Sequence, residues 1–206
     1  MEILQLTHSH QKDVAKRIVD ALGEGQVVAC PTDTVYGLLA DAGNSAAVRK
    51  MFSIKRRRRA KPFGVFVASI AKAKTIARIS TRQEKFLRSA WPGGVTAILR
   101  ARPDARFAPG VGIKNTLGIR IPRHSLLLEI LRLFKDPIAQ TSANISGEVA
   151  ILDSQDVVRV FGQKKHKPHL LIDGGALPPS LPSTVIDLTG TDAIVLRSGE
   201  YYTGLA

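Results

Sequence analysis

Apolar and polar positions along this chain follow two periods, one helical and one extended. Within residues 10–24, Val14, Ile18 and Leu22 recur at helical spacing with Lys and Arg between them, and Gly23 and Gly25 close the segment. The run Val27-Val28-Ala29-Cys30 reads as a buried strand, ended by Pro31, which offers no ladder N–H. Asn44 is placed to cap a helix with Val48, Met51 and Phe52 on its core face, running into the charge run Lys55–Arg59. Phe63–Val67 predicts a second strand. Ile70, Ala73, Ile76 and Ala77 predict a helix within Ser69–Ile79. Thr81 with Glu84 has the capping-box pattern of a helix through Phe86, Leu87 and Ala90, broken by Trp91-Pro92-Gly93-Gly94.

The second half continues the alternation. Val95–Leu99 and Leu117–Ile121 read as strands on either side of a Pro-rich loop. Ser125 opens a strongly apolar helix to Phe134, and Ile138–Thr141 is the next strand. A short helix from Asp153 or Ser154 to Phe161 precedes a basic loop at residues 163–169 and a strand His169–Ile172. Two strands close the chain, Thr184–Leu188 and Ala193–Arg197, with a turn at Thr189–Asp192. Alternating strands and helices predict an α/β fold. The close spacing of the last two strands predicts a hairpin, hence a mixed sheet. With 206 residues, 44% of them hydrophobic, and no repeat or linker, the expectation is one domain over residues 1–206.

Charge narrows the partners. Thirty basic residues against 17 acidic ones give a net charge of +13, a field that attracts nucleotides, pyrophosphate or RNA. Cys30 is the only cysteine, so an intrachain disulfide is excluded, and its apolar run suggests a buried thiol. Nothing at the start reads as a signal peptide and no apolar run approaches a membrane span, so the expectation is a cytoplasmic protein without a membrane partner. The five histidines have no metal-ligand spacing and one cysteine cannot make a zinc site, so no metal-binding residues are expected. Walker A, Gly-x-Gly-x-x-Gly and Gly-x-Ser-x-Gly patterns are absent.

Polar chemistry concentrates where apolar strands end. Pro31-Thr32-Asp33-Thr34-Val35-Tyr36-Gly37-Leu38 sets hydroxyls, a carboxylate and a phenol directly after a strand, where α/β proteins place sites; a capped turn is the plain alternative. In Lys55–Arg59, alternate residues of an extended segment would let Lys55, Arg57 and Arg59 converge on a triphosphate. An RNA-facing patch or a solvated face uses the same residues. Ser142, Asn144 and Ser146 alternate with small residues ahead of Gly147, a pattern for close ligand approach or for an Asx turn. Arg120, set among Gly118, Ile119 and Ile121, needs a partner if it is buried. Ser183 and Thr184 open a strand after Pro182; His124 reads as a helix cap; Asp33, Asp173 and Asp187 fit structural or metal roles.

Four segments in order carry a resemblance: Pro31–Leu38; Lys55-Arg56-Arg57 with Lys61-Pro62; Ser142–Gly147; and Pro182–Asp187. Together they resemble the YrdC/Sua5/TsaC family, over nearly the whole chain. The resemblance implies one YrdC-like domain, a twisted mixed sheet flanked by helices with a concave basic face. It implies an L-threonylcarbamoyladenylate synthase, a nucleotidyltransferase that joins L-threonine, bicarbonate and ATP and releases pyrophosphate. Mg²⁺ would travel with ATP, and the product would feed t6A modification at position 37 of tRNA through a downstream transferase machinery. By the same resemblance Lys55 and Arg57 are catalytic. Lys55, Arg57, Lys61, Thr116, Ser142, Asn144 and Arg197 bind ATP, while Thr34, Arg120 and Ser183 bind threonine. The chain departs from the family pattern at Arg58, where many relatives have proline, at Lys61, where some have asparagine, and at Phe66, where some have a histidine that touches the amino acid. A YciO-type protein that binds tRNA or double-stranded RNA without synthase activity is the alternative.

Overall fold

Val28, Ala29 and Cys30 are wholly buried, and the strand they form has paired neighbours on both sides. The structure is a computed structural model that describes residues 1–58 and 60–199. In chain order the first elements are β1 (Glu2–Gln5), α1 (Gln11–Gly23), β2 (Val28–Cys30), β3 (Gly37–Asp41), α2 (Ser45–Lys55) and β4 (Gly64–Phe66). Next come α3 (Ile70–Ile76), β5 (Ala77–Arg78), α4 (Thr81–Ala90), β6 (Val95–Ala101), β7 (Thr116–Arg120) and α5 (Ser125–Phe134). The last are β8 (Ile138–Ser142), α6 (Ser154–Phe161), β9 (Leu170–Asp173), β10 (Thr184–Asp187) and β11 (Ile194–Arg197). Among the described residues the strands form one mixed, twisted sheet in the order β1-β9-β2-β3-β8-β4-β7-β6-β10-β11, with β5 also paired to β6. The expected closing hairpin is the antiparallel pair β10–β11, whereas β10 runs parallel to β6.

Side-chain alternation divides the sheet into two faces. On one, Ala29, Leu38, Val65, Ala97, Leu117 and Ile119 pack with residues of α2, α4 and α6, such as Met51, Leu87 and Phe161. On the other, Val28, Cys30, Leu39 and Leu170 pack under α1 and α5, which lie against each other. That cluster reaches across β9, β2 and β3 as far as Ile138 of β8 and Phe66 of β4. Further along, the same face carries Gly64, Gly118, Thr96 and Ser183, small or polar residues that leave a hollow.

Several local expectations change. β1 and β3 were not foreseen: β1 is a short, largely exposed edge strand, and β3 begins inside the polar signature segment. The α3 helix ends earlier than its periodicity predicts, because Ala77 pairs with Ala101 as a strand. The capping box of α4 belongs to Ser80 and Gln83, not to Thr81 and Glu84; Glu84 instead pairs with Lys74 and Arg88. His124 occupies the N-cap position of α5 but makes no side-chain cap bond. The basic run is not extended either. Lys55 is still helical, Arg56 turns left-handed at φ 51°, and the N–H groups of Arg56 and Arg57 return to Ser53 and Phe52 at 3.3 and 3.1 Å. This is a Schellman ending with arginine in the place glycine usually takes. It sends Lys55 and Arg57 in different directions. Arg59 lies outside the described residues.

Asn44 caps α2 as expected, its Oδ1 accepting the N–H groups of Ala46 and Ala47 at 2.9 and 3.0 Å. Asn44→Ala is expected to lower the unfolding free energy by about 1 kcal/mol. Urea denaturation should show a reduced midpoint at an unchanged slope, since only the cap is lost.

Candidate active site

The uncovered half of the sheet holds a cavity of about 450 Å³. Its floor is backbone: Gly37, Gly64 and Gly118 sit on β3, β4 and β7 and present no side chain. A Cβ on Gly64 would come within 2.8 Å of the Gly118 carbonyl oxygen, and one on Gly37 within 3.2 Å of Thr32 Cγ2. Neighbouring protein atoms thus crowd out a side chain at both positions, which leaves the floor to the backbone.

The signature segment forms one wall and is held by its own polar groups. Thr32 Oγ1 accepts the N–H groups of Thr34 and Val35 at 3.0 and 3.2 Å and donates to the Val35 carbonyl at 2.7 Å. The Tyr36 hydroxyl donates to the Gly175 carbonyl at 2.8 Å and accepts the Gly174 N–H at 3.1 Å, and burial pushes its pKa up to about 12. Ser180 Oγ donates to the Thr34 carbonyl. Asp33 points away from this internal network. One of its oxygens accepts from Arg120 Nη2 and the other from the Arg123 N–H, both at 2.7 Å.

Among the described residues, three arginines face the cavity: Arg57, Arg120 and Arg197. Arg120 is only 3% exposed, and beyond Asp33 it donates to the Gly93 carbonyl at 2.9 Å and to Thr34 Oγ1 at 3.2 Å. Its guanidinium also lies 5.7 Å from the centre of the Phe66 ring, a cation–π distance. Arg197 donates twice to the Ser183 carbonyl, at 3.1 and 2.6 Å, and Ser183 Oγ is 2.8 Å from Thr96 Oγ1. Arg57 donates to the Lys61 and Pro62 carbonyls at 2.8 and 3.0 Å and stands 5.2 Å from the centre of the Phe63 ring. Burial pulls the pKa of all three below the ordinary arginine value; the charge of Arg197 adds to this at Arg57, and that of Arg120 at Arg197. For Arg120, Asp33 acts in the opposite sense. Arg57 and Arg197 are held by backbone carbonyls rather than carboxylates, so the cavity carries positive charge that an anion would relieve.

Lys55 lies behind the cavity wall at 2% exposure. Its Nζ donates to the Ser142 carbonyl at 2.6 Å and to Asn144 Oδ1 at 2.8 Å, with Ser142 Oγ at 3.4 Å. No carboxylate answers it among the described residues, and burial, with Arg57 adding repulsion, lowers its pKa to about 7.

Of the residues expected at the site, Thr34, Arg57, Thr116, Arg120, Ser142, Ser183 and Arg197 line this one cavity. Lys55, Lys61 and Asn144 do not: Lys61 is exposed and meets Arg57 through its backbone carbonyl, and Asn144 is buried beside Lys55. Sequence reasoning left Asp33 between structural and metal roles, whereas it anchors Arg120; the glycine floor and Gln140 were not found. Asp33 stood in the right segment. For the glycines, the available signal was their position on strands otherwise rich in apolar residues. Asp187 lines the cavity and Asp173 does not. The described residues contain no cluster of three or more His, Cys, Asp or Glu able to hold a metal, and no helix long and apolar enough to cross a membrane.

Comparison with known proteins gives consistent matches. The Sua5/YciO/YrdC family model, described as "Telomere recombination", matches residues 20–199. Threonylcarbamoyl-AMP synthase of Pyrococcus abyssi (strain GE5 / Orsay) is 36% identical over 179 residues, 85% of this chain and 51% of the relative. The chain thus spans about half of that protein. A putative threonylcarbamoyl-AMP synthase of Methanocaldococcus jannaschii is 31% identical over 199 residues, 97% of this chain and 92% of the relative. Among solved structures, the crystal structure of P. abyssi Sua5 complexed with L-threonine matches with a TM-score of 0.86 at 31% identity, covering 97% of this chain and 58% of that one.

The lowered pKa of Lys55 has a stability consequence. Between about pH 7 and the ordinary lysine value of 10.5, the unfolded chain holds a proton at Lys55 that the folded chain has released. Stability from this group therefore rises with pH through that window and is lost below it, with a slope of at most about 1.4 kcal/mol per pH unit. The stability difference between wild type and Lys55→Met, measured by urea denaturation, should move in favour of wild type from pH 7 to pH 9. A difference that stays constant with pH would contradict it.

Proposed function

The chain belongs to the Sua5/YciO/YrdC family, and from that membership we propose that it is an L-threonylcarbamoyladenylate synthase. Threonine and bicarbonate give the carbamate and water. A carbamate oxygen then attacks the α-phosphorus of ATP, and pyrophosphate leaves. The reaction is a nucleotidyl transfer and needs no side-chain nucleophile, so positioning and charge stabilisation carry the catalysis. The observation that supports this reading most is the convergence of Arg57, Arg120 and Arg197 on one cavity, beside the hydroxyls of Thr34 and Ser183. The names of the curated relatives favour it over an RNA-binding protein without synthase activity.

Roles follow from the chemistry. Arg57 and Arg197 attract the phosphates and offset the charge that develops on pyrophosphate. Thr116 and Ser142 add hydroxyls on the nucleotide side. Arg120 takes the threonine carboxylate: three of its five N–H groups are engaged, and two remain among the described residues. Thr34 and Ser183 meet the rest of the amino acid, and Phe66 offers an apolar ring where some relatives use histidine. Asp187 is the carboxylate in the cavity wall. One carboxylate among arginines suits a metal that enters on ATP better than a resident one, so Mg²⁺ belongs to the substrate in this reading. The adenylate would pass to a t6A transferase acting on tRNA, in the cytoplasm.

Pyrophosphate release tests the reaction. It should require ATP, bicarbonate and threonine together. Arg57→Ala should raise the KM for ATP, most strongly at low salt. Valine has threonine's shape without the hydroxyl, and each polar group it leaves unpaired costs about 1–3 kcal/mol. That corresponds to a roughly 5- to 150-fold preference for threonine in kcat/KM. Arg120→Ala should weaken both amino acids alike. Release without any amino acid, or equal rates with valine and threonine, would point to another substrate.

A further inference from the structure

The end of α2 and the segment after β8 are joined through one side chain. Lys55 Nζ reaches the Ser142 carbonyl and Asn144 Oδ1, and the Lys55 carbonyl accepts the Ser146 N–H at 2.9 Å. Asn144 extends the link, its Nδ2 donating to the Glu148 carbonyl at 2.5 Å, while Ser142 Oγ donates to Asn144 Oδ1 at 2.6 Å. Ser142 alone of this set faces the cavity. We propose that Lys55 is a positioning residue, which holds the Ser142–Glu148 segment in the shape that presents Ser142 to the ligand and does not itself meet the ligand's phosphates. This rests on reading the cavity as an ATP site.

Geometry supports the assignment. The left-handed turn at Arg56 fixes the helix end, so Lys55 and Arg57 cannot share one direction. Arg57 lines the cavity and Lys55 does not. Turning the ammonium towards a ligand would leave the part-buried Ser142 carbonyl and the buried Asn144 Oδ1 without their lysine donor. The link does not depend on charge. A neutral amine keeps two N–H groups, enough for the two acceptors within 2.8 Å, and gives up only the contact at 3.4 Å.

Two measurements test this, one of them free of any ligand. In hydrogen exchange on the unliganded protein, Lys55→Met should raise the rates at Ala143, Asn144, Ser146 and Glu148 at least tenfold, and Arg57→Ala should leave them unchanged. Asn144→Ala, which removes the partner instead of the lysine, should also loosen Ser146 and Glu148 and serves if Lys55→Met does not fold. Titration calorimetry with ATP at pH 8.5 and several salt concentrations gives the second arm. Lys55→Met should weaken binding about tenfold with the salt slope unchanged, whereas Arg57→Ala should reduce that slope by about one. Unchanged exchange in the lysine and asparagine variants overturns the proposal. So does a slope that falls by about one in Lys55→Met, which would make Lys55 a direct phosphate ligand. If wild type binds no ATP, the reading of the cavity fails, while the exchange arm still decides the positioning role.

Discussion

A guanidinium cannot leave water without partners, and Arg120 shows how much of this architecture answers that requirement. Its carboxylate comes from the signature segment after β2, a hydroxyl from the next residue, and a carbonyl from the Gly93 turn after α4. The same carboxylate takes the Arg123 N–H at the start of the α5 connection, and Arg123 Nε returns to the Pro92 carbonyl. Segments distant in sequence are thus drawn to one charge. The arrangement fixes Thr34 and Arg120 relative to each other, the pre-organisation that the proposed transfer would exploit.

Around this pair, the sheet is divided by what covers it. Helices pack one face, while α1 and α5 cover only part of the other. The bare part must be polar or without side chains, and there the chain places glycines, hydroxyls and arginines. Net positive charge held by carbonyls rather than carboxylates is costly in the empty cavity and becomes favourable with an anion in it. Under the proposed function, some folded-state stability is exchanged for binding.

Much of this was legible in the chain. Strand ends, the α/β alternation and the closing hairpin follow from period and punctuation, and the arginine on β7 could be read only conditionally, as needing a partner if buried. What escaped notice depends on tertiary context. β3 hides behind a polar segment because its first residue, Gly37, belongs to the cavity floor rather than the core. Lys55 looked like the companion of Arg57 because two residues along an extended chain point the same way; a single left-handed residue, which arginine rarely supplies, breaks that rule here. Asp33 could not be assigned because its two partners lie 87 and 90 residues away.

The alternation on β7 also bears on how the chain avoids misfolding. Leu117 and Ile119 enter the core while Thr116, Gly118 and Arg120 face the cavity. A slip of one residue would bury Arg120 among aliphatic side chains, away from Asp33, and turn two large apolar groups into the hollow. Since a one-residue slip exchanges the two faces of a strand, the polar cavity face itself makes the wrong register costly. The cavity-facing residues of β7 thus also specify its strand pairing.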